Sequence, residues 1–257
     1  MNDSPILKDK RAVIFGAGGS IGSAVARAFG AEGVELFLAG RGKSRLESVA
    51  RQITESGGRA HVAVVDALDD PAVDKYLQEV VEQAGGIDVE FNATGPRAAE
   101  YGTGTPALDL SIEQFLVGQT VLTGQFITAR CAARRMVPQG SGVIIFLTGS
   151  PARPHSEGTV AIGAANGGIE NVTRALALEL AGTGVRVVCL RTAANPDSRT
   201  IDDVATMIAA GMNTTKDGIR LSGPVHDVEG LAANGRHCQR SCTARVRPRS
   251  NDDRHRP

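Results

Sequence analysis

A cluster of glycines near the start of the chain has the residue types and the spacing of a phosphate-binding turn. Its members are Gly16, Gly18, Gly19 and Gly22, with Ala17, Ser20 and Ile21 as the intervening residues. Glycines let a backbone turn sharply and approach a ligand closely, and a helix that begins there offers free N–H groups and a positive dipole end. The cluster therefore predicts a diphosphate site, and a tight strand-to-helix turn without a ligand is the alternative.

Alternating strands and helices must place this turn at the edge of a sheet. Short apolar runs predict strands at residues 12–15, 34–39, 61–65, 87–91, 143–147 and 185–190. Helical spacing of apolar residues predicts helices from residue 20 and over 44–55, 71–83, 111–136 and 159–180, with a loop at 96–110. The alternation predicts an α/β fold, a three-layer, doubly wound, Rossmann-like parallel sheet. In such a sheet, ligands lie beyond the carboxyl ends of the strands.

The composition indicates an ordinary globular protein. With 257 residues, 42% of them hydrophobic, the chain is long enough for one α/β domain with a large core. Its 28 basic residues balance 28 acidic ones, so charge gives no reason to expect binding to nucleic acid or to an anionic membrane. No apolar run approaches the roughly 20 residues of a membrane span, and residues 1–11 lack the apolar core of a signal peptide. Four scattered cysteines predict neither a disulfide framework nor a metal site, and we expect a cytoplasmic protein.

Two glycine-containing turns together resemble the short-chain dehydrogenase/reductase family. Residues 16–22 resemble the Gly-x-x-x-Gly-x-Gly cofactor loop of that family, with Ser20 in the place of the middle glycine. The turn Asn92-Ala93-Thr94-Gly95 resembles the family's Asn-Asn-Ala-Gly turn after the fourth strand, with Asn92 and Gly95 retained. The resemblance implies a Rossmann-type fold, a nicotinamide nucleotide cofactor and hydride transfer to or from a small molecule.

The resemblance covers residues 8–200. Asp66 stands where the family usually places an aspartate near the adenine, and residues 173–180 are similar to the end of the family's fifth long helix. For Asp66, capping of a turn or helix is an equally good interpretation. The last strand of the family is not recognisable after Pro196, and we expect it to be missing or altered.

The carboxyl-terminal segment differs from the rest of the chain. Residues 1–234 are predicted to form a single NADP(H)-binding Rossmann-type domain. Residues 235–257 are rich in arginine, contain no lysine and have Val246 as their only branched aliphatic residue. Such a segment cannot bury enough apolar surface to order itself, so we predict a disordered tail, with a shifted reading frame as the alternative.

Arg41 indicates which nicotinamide nucleotide the chain prefers. The second predicted strand ends in Ala39-Gly40, without the acid that would accept a hydrogen bond from a ribose 2′-hydroxyl. A guanidinium at that point can bind a 2′-phosphate through paired hydrogen bonds. The sequence therefore favours NADP(H) over NAD(H), and an ordinary surface arginine before a helix is the alternative.

The catalytic positions that the resemblance implies do not hold the expected residues. The family uses a tyrosine as general acid/base, a lysine four residues later, an asparagine on the fourth helix and a serine after the fifth strand. At these positions the chain has Ile162, Asn166, Val121 and Gly149. Isoleucine cannot donate a proton, and asparagine cannot lower a neighbour's pKa by its charge. The standard mechanism is therefore not available to this chain.

Several nearby side chains are candidate substitutes, each with a simpler alternative. Thr148 or Ser150 could orient a carbonyl, or cap the end of the strand. His155 titrates near neutral pH and could act as an acid, or be solvated in its loop. Tyr101 is expected at the cofactor rim, where its phenol could act, or simply pack. We find no candidate metal ligand set.

Two functions fit these residues. One is an NADP(H)-binding oxidoreductase with a non-standard site and an unknown small-molecule substrate. The other is a catalytically inactive pseudoenzyme that binds NADP(H) as a sensor or partner subunit. The family commonly dimerises through its two long helices, and the apolar stretches at 115–133 and 169–180 favour a homodimer here.

Overall fold

The computed structural model describes residues 7–149 and 158–192, and in them strands and helices alternate along the chain. The strands are β1 (Arg11–Phe15), β2 (Glu35–Gly40), β3 (Arg59–Val64), β4 (Val89–Asn92), β5 (Gly142–Gly149) and β6 (Val185–Thr192). The helices are α1 (Ser20–Ala31), α2 (Lys43–Glu55), α3 (Asp70–Ala84), α4 (Ile112–Gln139) and α5 (Val160–Glu179). The predicted elements are therefore confirmed, with ends that differ by a few residues.

The six strands form one parallel sheet in the order β3-β2-β1-β4-β5-β6. The chain order reverses between β1 and β4, which lie side by side with Phe15 opposite Asn92. The loops that follow β1 and β4 therefore leave the sheet in opposite directions and open a crevice between them. This is the doubly wound arrangement that the alternation predicts.

Buried side chains fill both faces of the sheet. One cluster joins Val13, Phe15 and Phe37 to side chains from α3, α4 and α5. The other joins Ile14 and Leu38, with their neighbours, to side chains from α1 and α2. The residues of β1 are fully buried from Ala12 onward because helices cover the strand on both sides, which also explains why their sequence is continuously apolar.

The predicted loop at 96–110 is partly helical. It contains a short 3-10 helix, Ala98–Tyr101, which the sequence prediction missed. The Glu100 N–H donates to the Arg97 carbonyl at 2.9 Å, and the Arg97 N–H donates to Glu100 Oε2 at 2.7 Å. This reciprocal pair closes the turn, which hydrophobic periodicity cannot reveal in so short a segment.

Several expectations fall outside the described residues. They concern Ser150, His155, the last strand after Pro196, and the tail at 235–257. Among the helices that the structure describes, none is long and apolar enough to cross a membrane.

Candidate functional site

A cavity of about 500 Å³ opens at the crevice between the loops after β1 and β4. Its wall includes the turn after β1, the β2–α2 and β3–α3 loops, the turn after β4 and the first part of α4. The predicted site residues that line it are Gly16, Gly18, Gly19, Arg41, Asp66 and Gly95. The cavity therefore brings together residues that are far apart in the sequence.

The amino terminus of α1 supplies the anion-binding part of this cavity. Gly19 is the N-cap, with no side chain to cap the helix, and the first turn carries no acidic residue. The N–H groups of Ser20, Ile21 and Gly22 have no partners within the helix, and the dipole favours an anion beside them. The chemistry of a diphosphate fits this uncapped end.

Two glycines of the turn are required by close approach. A Cβ at Gly22 would lie 2.3 Å from the carbonyl oxygen of Gly16, so α1 could not pack against the turn. Gly16 has a φ of +75°, and a Cβ there would lie 2.7 Å from the Ala93 carbonyl. The turn after β1 therefore also contacts the turn after β4 directly, and the two together shape the cavity.

Two arginines line the cavity beside the end of β2. Arg41 follows the strand, and Arg45 lies in the first turn of α2. The side chain of Arg45 folds over the loop, since a Cβ at Gly42 would lie 3.0 Å from Arg45 Nε and one at Gly18 would lie 3.1 Å from Arg45 Cβ. Both arginine side chains are exposed. Their chemistry suits a phosphate group.

Two acids also lie on the cavity wall. Asp66 is exposed, and its Oδ1 accepts a hydrogen bond from the Leu68 N–H at 3.1 Å, which is the turn-capping role left open by the sequence. Glu100 also lines the wall. Hydrogen bonds from Arg97 lower the pKa of Glu100, and the charge of Arg41 lowers it further. The cavity thus has both charge signs near the end of β2.

Asn92 supports the site from within the core. Its amide nitrogen donates to the Gly124 carbonyl at 3.2 Å and to Thr128 Oγ1 at 2.9 Å, both on α4. Its Oδ1 accepts from the N–H and the hydroxyl of Thr94, at 2.8 and 2.6 Å. Asn92 itself is 1% exposed, whereas Thr94 lines the cavity. Asn92 therefore fixes the cavity wall to α4 without facing the cavity.

The positions of the family's catalytic groups are apolar or lack charge. Val121 on α4 is buried and lies close to the cavity, because a Cβ at Gly95 would be 3.9 Å from its Cγ2. Ile162 on α5 packs against two apolar clusters. Asn166, one turn later on α5, is 4% exposed. Gly149 is the last residue of β5, opposite Thr192 of β6. None of these four can act as a proton donor of ordinary acidity.

The side chain of Thr148 is buried beside the neighbouring strand β6. It is 2% exposed, and its Oγ1 lies 3.6 Å from the Cys189 sulfur on β6. The Thr192 hydroxyl donates to the Thr148 carbonyl at 3.1 Å. This geometry describes a side chain that stabilises the end of β5. Its suggested role toward a substrate carbonyl stays a prediction, as do those of Ser150 and His155, which lie outside the described residues.

Tyr101 lies beside the catalytic positions rather than at the cavity rim. Its ring packs with Ala161 and Ile162 of α5 and is 8% exposed. Burial raises the pKa of its phenol. The expectation that Tyr101 faces the rim was wrong, because the 3-10 helix turns it inward and places Glu100 on the cavity wall instead.

Glu90 is a buried acid that the sequence reasoning did not single out. It lies on β4 between Val13 and Ile144, is 1% exposed, and its Oε1 has no hydrogen-bond partner. Burial raises its pKa to about 8, and the nearby Thr128 hydroxyl offsets only a part of this rise. The signal was visible as one acid inside an apolar strand, at a position that alternation places under α4.

Arg45 is the second residue that the sequence reasoning missed. Arg41 and Arg45 are four residues apart, across the start of α2, and this spacing could have indicated that both face the same cavity. The contribution of Glu100 could not have been found in this way, because it depends on a turn that forms only in the folded loop.

Comparison with known families and relatives gives consistent matches. The family model described as short chain dehydrogenase matches residues 10–196. An uncharacterized oxidoreductase of Staphylococcus aureus (strain USA300) is 29% identical over 186 residues, which cover 72% of this chain and 78% of that protein. An uncharacterized oxidoreductase of Bacillus subtilis (strain 168) is 30% identical over 192 residues, which cover 70% of this chain and 69% of that protein.

Solved structures also match most of the chain. The crystal structure of NAD⁺-bound xylitol dehydrogenase has a TM-score of 0.75 and 26% identity, covering 79% of this chain and 77% of that one. A variant of actinorhodin polyketide ketoreductase with NADPH has a TM-score of 0.73 and 25% identity, covering 81% and 79%. The two structures hold different nicotinamide nucleotides.

Proposed function

Because the chain belongs to the short-chain dehydrogenase/reductase family, we propose that it is an oxidoreductase that binds NADP(H) in preference to NAD(H). The observation that carries the preference is the pair of exposed arginines at the end of β2, where no acid follows the strand. A carboxylate at that point would accept a hydrogen bond from the 2′-hydroxyl of NAD(H) and would repel a 2′-phosphate. The positive charges of Arg41 and Arg45 would instead attract a 2′-phosphate.

Each part of the cavity wall then has a role in binding. The uncapped amino terminus of α1 and the glycine turn would hold the diphosphate, and Arg41 and Arg45 would hold the 2′-phosphate. The nicotinamide of the bound nucleotide supplies a hydride donor or acceptor. The residues near Asp66 would border the adenine, with the Asp66 carboxylate partly engaged by its own turn.

The reaction that such a site supports needs little help from an acid. With Ile162, Asn166 and Val121, the three helix positions provide no charged or phenolic group for a carbonyl oxygen. Ile162 and Val121 would exclude water and hold a substrate by apolar contact. Hydride transfer to an activated alkene or an iminium needs less proton donation than carbonyl reduction, and we place the small-molecule substrate in one of these classes.

A second candidate function is an inactive NADP(H)-binding sensor or partner subunit. The packing of Ile162 against two apolar clusters favours it, because the position of the general acid holds a half-buried apolar side chain that contacts the core. In this case the nucleotide would be bound and not turned over. Fold membership does not separate the two functions.

We also propose a cytoplasmic homodimer that associates through α4 and α5. Large apolar side chains are exposed on both helices, with Leu116 57%, Phe126 40% and Leu178 74% exposed. Such side chains on adjacent helices are typical of an interface. Sedimentation analysis of the wild-type protein and of Leu116→Glu tests the dimer: the variant should sediment as a monomer, whereas a monomeric wild type refutes this part of the proposal.

The first experiment is a fluorescence titration of the purified protein with NADPH and with NADH. Micromolar binding of NADPH with clearly weaker binding of NADH supports the proposal, and binding of neither refutes both candidate functions. Turnover assays of the wild type, His155→Ala and Tyr101→Phe with alkene and iminium substrates then separate the enzyme from the pseudoenzyme. The pseudoenzyme has no turnover to lose.

A further inference from the structure

Glu100 is the residue of the cavity wall that binding of a nicotinamide nucleotide does not by itself explain. Glu100 lines the same cavity as Arg41 and Arg45, although it comes from the loop after β4, whereas Arg41 follows β2 and Arg45 lies in the first turn of α2. A negative charge beside a phosphate-binding arginine pair is unfavourable for the phosphate. This placement therefore has a consequence for nucleotide choice.

The Glu100 carboxylate is held in place by its own turn. Its Oε2 accepts the Arg97 N–H at 2.7 Å, and its Oε1 accepts the Arg97 guanidinium Nη2 at 3.3 Å. The Glu100 N–H donates in turn to the Arg97 carbonyl at 2.9 Å. The two hydrogen bonds from Arg97 therefore hold the carboxylate against its own turn.

The charge of this carboxylate reaches Arg41. Arg97 and then Arg41 lower the pKa of Glu100, so the side chain is ionised at neutral pH and lies within the electrostatic range of Arg41. The side chains of Arg97 and Glu100 are 86% and 44% exposed, so solvent screens both charges, but only Glu100 lines the cavity. The cavity therefore has a negative charge on its wall that solvent weakens without removing.

We propose that Glu100 is a specificity-determining residue of the nucleotide site, whose fixed charge opposes the 2′-phosphate and so limits the preference for NADP(H) over NAD(H). This inference rests on the proposed function, because it requires that the cavity binds these nucleotides. The 2′-phosphate is the group by which the two nucleotides differ, so the charge of Glu100 acts mainly on NADP(H). The arginine pair and Glu100 then set the preference in opposite directions.

Glu100→Gln is the sharpest test, because glutamine keeps an oxygen that can accept the Arg97 N–H and thus keeps the turn. The matched control is Glu79→Gln, an exposed change on α3 that removes the same charge away from the cavity. Titrations with NADPH and NADH should show that Glu100→Gln tightens NADPH binding roughly fivefold and NADH binding less than about twofold. The control should change neither, and added salt should shrink the effect of Glu100→Gln.

Arg97→Ala provides a second, opposite test that does not depend on the first variant. The variant keeps the backbone N–H that holds Glu100 Oε2 and loses only the guanidinium that partly compensates the charge of the carboxylate, so NADPH binding should weaken while NADH binding changes little. Thermal unfolding of each variant verifies that it is folded. An unchanged ratio of NADPH to NADH affinity in both variants overturns the role of Glu100, even when the wild type binds NADPH well. A wild type that binds neither nucleotide overturns the proposed function, and the role of Glu100 with it.

Discussion

The nucleotide end of this molecule has the groups that phosphate binding needs, whereas the catalytic end lacks the groups that proton transfer needs. The nucleotide end comprises residues 16–22 with Arg41 and Arg45, and the catalytic end comprises Val121, Gly149, Ile162 and Asn166. At the nucleotide end an uncapped helix terminus, a glycine turn and two guanidinium groups line one cavity. At the catalytic end the side chains are apolar or uncharged.

The difference follows from what each end needs. Diphosphate binding uses backbone N–H groups and a helix dipole, which come with the fold as long as the glycines permit the close approach. Proton transfer uses particular side chains, and a substitution such as isoleucine for tyrosine removes it while α5 stays intact. Fold and binding geometry can therefore persist where the means of proton transfer do not.

We expect the largest effect on nucleotide binding from a substitution of Gly16. A methyl group there would meet the Ala93 carbonyl at 2.7 Å and would force a side chain into φ +75°. We expect Gly16→Ala to weaken NADPH binding by more than about 100-fold and to lower the free energy of unfolding by roughly 2–4 kcal/mol. Titration and chemical unfolding measure the two effects.

Gly57→Ala is the control for this substitution. Gly57 has a similar φ of +85°, but no atom lies within 4 Å of the position its Cβ would take. Its change should cost only about 1 kcal/mol and leave NADPH binding intact. Equal losses of stability in the two variants, with binding unaffected in both, would contradict the role of the close approach.

A second large effect, on stability, concerns Glu90, whose side chain is buried on β4. The folded protein raises the pKa of Glu90 from 4.5 to about 8, so its contribution to the free energy of unfolding is complete below pH 4.5 and decreases as the pH rises to 8. Glu90→Leu should remove this pH slope and stabilise the protein by roughly 2–4 kcal/mol at pH 8. Unfolding curves between pH 5 and pH 9 give the difference.

Glu90→Gln separates the charge of Glu90 from its polarity. It should remove the pH slope but stabilise less than leucine, since the amide is still polar and buried. Neither variant should change NADPH affinity more than about twofold, because Glu90 does not line the cavity. A slope that persists unchanged in both variants would show that groups other than Glu90 cause it.

A smaller effect at the nucleotide end should follow Arg41→Ala. Loss of charge-assisted hydrogen bonds to a 2′-phosphate should weaken NADPH binding by roughly 10- to 50-fold, while NADH binding should change less than about twofold. Arg51→Ala, an exposed change on α2 outside the cavity, serves as the control. If NADPH and NADH weaken equally, Arg41 does not contact the 2′-phosphate.

The smallest effect should come from the catalytic end. Ile162→Ala removes an apolar side chain from the contact between two clusters, and should cost roughly 1–2 kcal/mol of stability because the side chain is only half-buried. NADPH affinity should stay the same. Ile162→Val should cost less than Ile162→Ala. A strong loss of nucleotide binding in either variant would contradict the separation between the nucleotide end and the catalytic end.

The regular parts of this fold were predictable because their signals are local. Continuous apolar strands such as 12–15, glycines at strand ends and a proline at the start of α3 identify elements without knowledge of their neighbours. The parallel order and the place of the crevice then follow from the alternation. For this reason the cavity-lining positions of Gly16, Arg41 and Asp66 could be expected from sequence.

The loop after β4 could not be predicted because its structure depends on distant contacts. The N–H of Gly104 donates to the Gly158 carbonyl at 2.8 Å, and Tyr101 packs on Ala161, both more than 50 residues away in sequence. These contacts decide that Tyr101 turns inward and that Glu100 faces the cavity. Glu90 was overlooked for a different reason: a binary pattern treats an acid as a sign of exposure, although a single acid inside an apolar strand was a visible signal.

The hydrogen bonds of Asn92 have a thermodynamic consequence for ligand binding. One oxygen accepts both the N–H and the hydroxyl of Thr94, while the amide nitrogen is fastened to α4. The part of the wall that Thr94 provides is thus ordered before any ligand binds. The loss of conformational entropy that orders it occurs when the protein folds and not when the ligand binds. Calorimetry should therefore find that a nucleotide binds this surface with little loss of conformational entropy in the protein.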